Sequence, residues 1–223
     1  MNFWHAVGAI VWKDIRAEAR TKDIFSSMFV FALLSVIVFN FAFQLRVADM
    51  KSVVPGMLWV AISFAGTLGL NRAFVIEMDK GSLAGLLLAP MDRAAIYFGK
   101  TLGNLLFMLI VEAVLLPLIM IFFNLSLFSV PHLLVLLLGT IGFAVVGTIF
   151  SAIAVNTRAR DVLLPILLFP VLVPVLVSGA NMTGMLLDGY GFRDILGNLQ
   201  FVLFYDLVFA VLAYLTFDFV VEE

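Results

Sequence analysis

The stretch VIEMDKGSLAGLLLAPMDRAAIYFGKT, Val75 to Thr101, separates two long apolar runs and decides how the rest of the chain is read. Glu77, Asp79, Lys80, Asp92, Arg93 and Lys100 make it far more polar than its flanks. Asp79-Lys80-Gly81 reads as a turn. Ser82 stands where an N-cap hydroxyl would accept from an orphan backbone N–H. Leu83, Leu86 and Leu87 then recur at helical spacing, and Pro90 ends the run. Asp92 is placed to cap a further helix that carries Arg93 and Lys100 into the next apolar run. The expectation is a two-turn helix on a membrane surface, with an apolar ridge and an acidic entrance, shaped to be gripped by a partner. A plain surface loop whose leucines dip into lipid would give the same local pattern.

Outside this stretch the chain is apolar. It is 64% hydrophobic and 13% charged, where soluble domains run at roughly 45–50% and 25%. These proportions predict an all-α polytopic membrane protein, with residues 1–223 forming one transmembrane domain. The net charge of −2 gives no basic field for nucleic acid. With no cysteine and only His5 and His132, no thiolate or multi-histidine metal site is expected.

Six spans of about 20 residues each are placed at 24–45, 54–75, 102–123, 131–155, 162–180 and 200–221, with 76–101 as the coupling segment between the second and third. Residues 1–23 precede them as an amphipathic helix. At the helical period Phe3, Trp4, Val7, Ile10, Val11 and Ile15 share one arc, opposite Lys13, Arg16 and Arg20. Such a helix lies in the interface with its basic side toward water or anionic headgroups. Asp14 and Glu18 fall on its apolar side and are expected to be buried against a cationic partner, within the chain or on another protein.

Lys and Arg counts set the orientation. The N-terminal segment, the 72–100 connection and the 156–161 connection carry ten of these residues, and the opposite connections carry three. The first set is therefore expected on the cytoplasmic side, with both termini. Pro165, Pro170 and Pro174 interrupt the fifth span and predict a kinked or broken helix acting as a hinge. The following 181–199 segment fits a re-entrant turn or an ordinary external loop. Thr140, Ala144, Thr148 and Ala152 form a row of small residues suited to close helix packing.

Glu112 lies near the middle of the third span, where a carboxylate costs roughly 3 kcal/mol on insertion scales. It is a candidate gating or substrate-path residue; a protonated carboxyl bonded to a neighbouring helix is the structural alternative. Asp206 and Asp218 are expected to reach the interface from the ends of the last span, and Arg72 to pair with Glu77 or snorkel. Phe98-Gly99-Lys100-Thr101 imitates a phosphate-binding loop, but position 94 is alanine where glycine is needed and no strand precedes it. No catalytic residues and no ATP hydrolysis by this chain are expected. His132, after Pro131 at an outer mouth, is an interface residue with a weak claim to haem contact.

Several motifs in order resemble the cytochrome c maturation protein B family. They are Pro55-Gly56-Met57-Leu58-Trp59-Val60-Ala61, Leu70-Asn71-Arg72-Ala73-Phe74, Asp79-x-Gly81-Ser82-Leu83, Leu87, Pro90 and Lys100. Val162-Leu163-Leu164 with Pro165, Pro170 and Pro174, and Phe3-Trp4 with Lys13-Asp14, add to the likeness. Asn71 departs from it, since a carboxylate would be expected beside Arg72. The resemblance implies a permease subunit of an ABC-type complex in the bacterial cytoplasmic (inner) membrane, with the exporter-type fold and re-entrant outer elements after the fifth span. It implies a homodimer, each copy docking Ser82 to Ala89 into a groove on a separate ATPase subunit, with Glu77 and Asp79 reading basic groups there. Further implied partners are a haem-handling membrane protein, a small one-span protein and a periplasmic haem chaperone. ATP would sit on the ATPase, no cofactor would belong to this chain, and haem would be a candidate cargo. ATP use would drive release of the haem-loaded chaperone or haem export. A permease for a drug, lipid or polysaccharide shares every feature read from the residues. A stand-alone membrane enzyme or secondary transporter using Glu112 as its acid is the alternative of another class.

Overall fold

A computed structural model describes residues 2–43, 49–79, 81–155, 157 and 159–222. The described chain is helical, with α1 at Phe3–Thr21, α2 at Asp23–Phe43, α3 at Val54–Asp79, α4 at Ser82–Leu87, α5 at Arg93–Phe123, α6 at Val130–Val155, α7 at Arg160–Leu187 and α8 at Leu196–Glu222. A single 3-10 turn, Met50–Ser52, precedes α3. Six helices, all but α1 and α4, are long and apolar enough to cross a membrane. The chain is a multi-pass membrane protein.

Most of the spans, though not α2, are longer than hydropathy predicts. α3 continues to Asp79 and α5 begins at Arg93, so the expected 76–101 connection shrinks to the turn and short helix between them. The reason is that hydropathy registers the edge of the hydrocarbon, whereas helical hydrogen bonding continues past it into the headgroup zone. The 31 residues of α5 are roughly 46 Å long at 1.5 Å per residue, against a core of about 30 Å.

The fifth span is not broken. α7 runs without interruption through Pro165, Pro170 and Pro174. Membrane helices tolerate proline when neighbours satisfy the disturbed backbone. Between Pro170 and Pro174 the Tyr205 hydroxyl donates to the Val171 carbonyl at 2.7 Å, which ties α8 to this part of α7. Nor does a re-entrant helix follow among the described residues. α7 absorbs the start of the 181–199 segment and ends at Leu187, a turn with Gly189 at φ 91° follows, and α8 starts at Leu196.

The core is built around α3 and α6, whose most apolar windows are 72% and 67% buried, against 22–28% for α2, α7 and α8. The small-residue row on α6 is fully enclosed: Thr140, Ala144, Thr148 and Ala152 are all buried. Polar side chains tie the helices pairwise. Asn104 on α5 donates to the Thr148 hydroxyl on α6 at 3.1 Å, Tyr97 donates to the Val145 carbonyl at 2.9 Å, and Ser151 donates to the Leu70 carbonyl on α3 at 2.7 Å.

Trp59, from the Pro55-Gly56-x-x-Trp59 motif, is the key of this packing. Its ring enters a slot between α6 and α7 that exists because Gly139 and Gly179 carry no side chain, and a Cβ at either would strike the indole. The indole N–H donates to the Thr183 hydroxyl at 3.1 Å, and that hydroxyl donates back to the Gly179 carbonyl at 2.8 Å. Gly139→Ala should therefore cost about 1–3 kcal/mol through overpacking, read as a lowered unfolding temperature of the detergent-solubilised protein. Trp59→Phe added to that variant should recover part of the loss.

Candidate functional site

α1 does not lie on lipid with its whole apolar arc. Ala6, Val7 and Ile10 are buried against α5, where Ala95, Ile96 and Tyr97 receive them, while Trp4 and Ile15 stay exposed. The arc is split: one half packs on protein, and the other, with Trp4, Trp12 and Ile15, faces outward. Arg16 lies over the Trp12 ring, 4.8 Å from its centre. The joint to α2 is a single residue, Lys22, in the left-handed region at φ 58°. Glu18 is buried as expected, but its partner is not a cation. Its carboxylate accepts the Phe25 backbone N–H at 2.8 Å and so caps the first turn of α2.

The half of α1 that packs on α5 brings Lys13 and Asp14 to the roots of α3 and α5. The Lys100 ammonium, 2% exposed, is 3.0 Å from Asp14 Oδ2 and 2.8 Å from Glu77 Oε1. Its third donor direction is met by the Ala73 carbonyl at 3.4 Å, and the Phe74 ring centre lies 5.6 Å away. Lys13 was expected on the water side, yet its ammonium bonds the same Glu77 oxygen and reaches Asp14 Oδ1 at 3.2 Å. Burial works against the Lys13 charge, but the hydrogen bond and attraction from Glu77, with Asp14 adding to them, outweigh it and raise the Lys13 pKa. Two cations and two anions thus form one closed cluster joining three helices.

This arrangement corrects the role expected of Glu77. The carboxylate is buried and engaged within the chain, so it is not presented to basic groups of another protein. Arg72, expected to pair with it, is exposed instead. Asn71, the departure from the family pattern, donates to Asp161 Oδ1 on α7 at 2.7 Å. The second Glu77 oxygen has no partner among the described residues. The residue lines a cavity of about 130 Å³ that it shares with Ala17, Thr21, Ile24, Ser82, Asn104 and Phe107 and with the rest of the charged cluster.

The cluster sits at the base of α4. Glu77 is near the C-terminal end of α3, the chain turns at Gly81 with φ 66°, and α5 returns with Lys100. Asp92 caps α5 as expected, accepting from the Ala94 N–H at 2.9 Å. Ser82 does not cap α4; it is the first helical residue, and its hydroxyl donates to the Glu77 carbonyl at 3.2 Å, tying α4 back to α3. Leu86 is half-buried and packs with Phe74, Ile96 and Tyr97. The side chains of Asp79, Leu83 and Leu87 lie outside the described residues. Leu88, not singled out in the sequence, is 86% exposed at the end of α4, just before the exposed Pro90.

The other candidates lie elsewhere. Glu112 is buried against α6, where Thr140 Oγ1 donates to its Oε1 at 2.5 Å. The void beside it is only about 10 Å³ and otherwise apolar. His132 is buried at the opposite end of the bundle from α4, with Nδ1 2.7 Å from Ser129 Oγ and Nε2 turned into the fold, away from any ligand arriving from outside. Of the residues expected to carry function, the structure joins Lys13, Asp14 and Glu77, and Lys100 completes the group.

The family model described as CcmB protein matches residues 5–221. The chain belongs to the CcmB protein family. It is 29% identical over 175 residues to Heme exporter protein B of Rhodobacter capsulatus, covering 78% of this chain and 80% of the relative. For Heme exporter protein B of Pseudomonas aeruginosa the figures are 29% over 178 residues, 79% and 80%, and for that of Paracoccus denitrificans 28% over 174 residues, 78% and 80%. In this CcmB-family chain the matched residues take in α1 from His5 onward, α4 and the whole cluster.

Removing one partner of a buried ion pair leaves the other unpaired, at a cost of about 3–5 kcal/mol, whereas a half-exposed pair is worth about 1 kcal/mol or less. Lys100→Met should therefore destabilise far more than Lys13→Met in denaturant unfolding of the solubilised protein. Because the Lys13 pKa is raised, its contribution is fully present below the ordinary lysine value of 10.5 and is lost as pH rises through the folded value. The Lys13→Met loss should accordingly stay constant across the neutral range.

Proposed function

We propose that this chain is the membrane permease subunit of an ABC-type complex in cytochrome c biogenesis, with α4 as its coupling helix on a separate ATPase subunit. The observation that carries the reading is the pairing of an exposed leucine tip with a clamped base: Leu88 stands exposed immediately after α4 while buried ions lock together the helices on either side of it. A push on an element held this way tilts α3 and α5 instead of bending a loop. Family membership supports the permease assignment, and the three relatives named above carry the name Heme exporter protein B. The ten-to-three distribution of Lys and Arg supports an α4 end in the cytoplasm, where ATP is, with both termini on that side of the bacterial inner membrane.

In this reading the chain is non-catalytic and ATP is hydrolysed by the partner. Closure of two ATPase subunits presses on two copies of α4, and each stroke passes through α3, α5 and α1 as one body. The work done is ATP-driven release of a haem-loaded periplasmic chaperone or haem export, with a haem-handling membrane protein and a small one-span protein in the same assembly. Haem is cargo, and this chain keeps no cofactor of its own. Such coupling requires α4 to meet the ATPase differently in its two nucleotide states.

Leu88→Asp should weaken co-purification with the ATPase ten- to a hundredfold, as expected from losing a buried leucine worth about 1.5–3 kcal/mol, and should abolish mature c-type cytochromes while leaving insertion and thermal stability intact. Leu86→Glu should lower stability as well, because Leu86 also packs inside the fold. Normal ATPase association and normal cytochrome maturation in Leu88→Asp would refute the docking assignment.

A further inference from the structure

Asp206 was expected to reach the interface from the last span. It does the opposite. It stands ten residues into α8, about 15 Å from that helix end at 1.5 Å per residue, and is 5% exposed. Both carboxyl oxygens are fully enclosed and have no hydrogen-bond partner among the described residues. The group is wedged against Gly142 of α6, where a Cβ would strike Oδ1, with Val175 of α7 beside it.

Among the described residues no counter-charge faces it from the helices packed on α8. On α6 the titratable group is His132, ten residues or roughly 15 Å along the helix from Gly142. On α7, Arg160 and Asp161 lie at the far end of that helix. On α5, Arg93 is the first helical residue, Tyr97 donates to the Val145 carbonyl, Lys100 is engaged by Asp14 and Glu77, and Glu112 is bonded by Thr140. Thr140 and Gly142 are two residues apart and so point to nearly opposite sides of α6. Tyr205, the neighbour on α8, spends its hydroxyl on the Val171 carbonyl.

An ionised carboxylate in this position would lack water, a donor and a cation at once, which membrane interiors do not tolerate without a partner. The site is closed to any larger ligand. We infer that Asp206 is a proton-binding site inside the membrane: the carboxyl holds a proton on one oxygen while α6 and α8 are in contact. Proton transfer forms one O–H bond at Oδ1 or Oδ2 and takes the proton from hydronium, leaving water. The bundle then carries two carboxyls at one depth, on either side of α6: Glu112, which receives a hydrogen bond, and Asp206, whose own proton makes it neutral.

The full chain in lipid vesicles tests this by infrared spectroscopy at neutral pH, where exposed carboxylates are ionised and silent in the protonated-carboxyl region. A protonated-carboxyl C=O band is expected, part of it shifted when aspartate alone carries a 13C side-chain carboxyl. The shifted part should vanish in Asp206→Asn and survive in Glu112→Gln. If Asp206→Asn fails to insert, Asp206→Glu should move that part out of the aspartate-labelled set. Absence of any aspartate-shifted band in the wild-type chain, or its persistence in Asp206→Asn or Asp206→Glu, would overturn the assignment.

Discussion

The ammonium of Lys100, held out of water by three helices, is the constraint on which the rest of the α4 end depends. A buried lysine must be neutralised, and two carboxylates are brought to it, Glu77 from α3 and Asp14 from α1. That requirement fixes the depth and rotation of α1 on α5, because Asp14 reaches Lys100 only if Ala6, Val7 and Ile10 face the same way. It also fixes the separation of α3 and α5, and with it the base from which α4 projects. Net stabilisation by such a cluster is modest, because desolvation offsets much of the attraction. Its effect is to select one geometry, since every other arrangement leaves a buried charge alone.

Within the bilayer the rules change. Lipid tails compete with apolar side chains on equal terms, so helices adhere through close packing and hydrogen bonds. Both devices converge on α6. Glycines and small side chains let Trp59 and Leu70 come near its backbone, and hydroxyls or amides connect it to α3 and α5. The outer helices α2, α7 and α8 leave much of their surface to lipid or to other subunits.

The sequence made the number and order of the helices legible, because six apolar runs of spanning length admit few other arrangements. It also pointed to Asp14 as a buried acid, since a carboxylate on the apolar side of an amphipathic helix demands a partner. The partner was not legible: Lys100 reads as an ordinary flanking lysine, and nothing local says that its chain folds back under α1. Lys13 was misjudged for a related reason, because a helical wheel cannot show that a second helix covers its polar flank. The three prolines suggest a break, yet α7 passes through all of them as one helix. A last span beginning at residue 200 puts Asp206 within two turns of the interface, whereas the continuation of α8 back to Leu196 carries it inward.

The separation of these partners along the chain has a consequence for biogenesis. Lys13 emerges from the ribosome 64 positions before Glu77, and Lys100 follows later still. During that interval α1 has no acidic groove to lie against, and its exposed tryptophans offer only the bilayer surface as a resting place. The amino-terminal helix therefore cannot take its final seat until the third span, which carries Lys100, has been made.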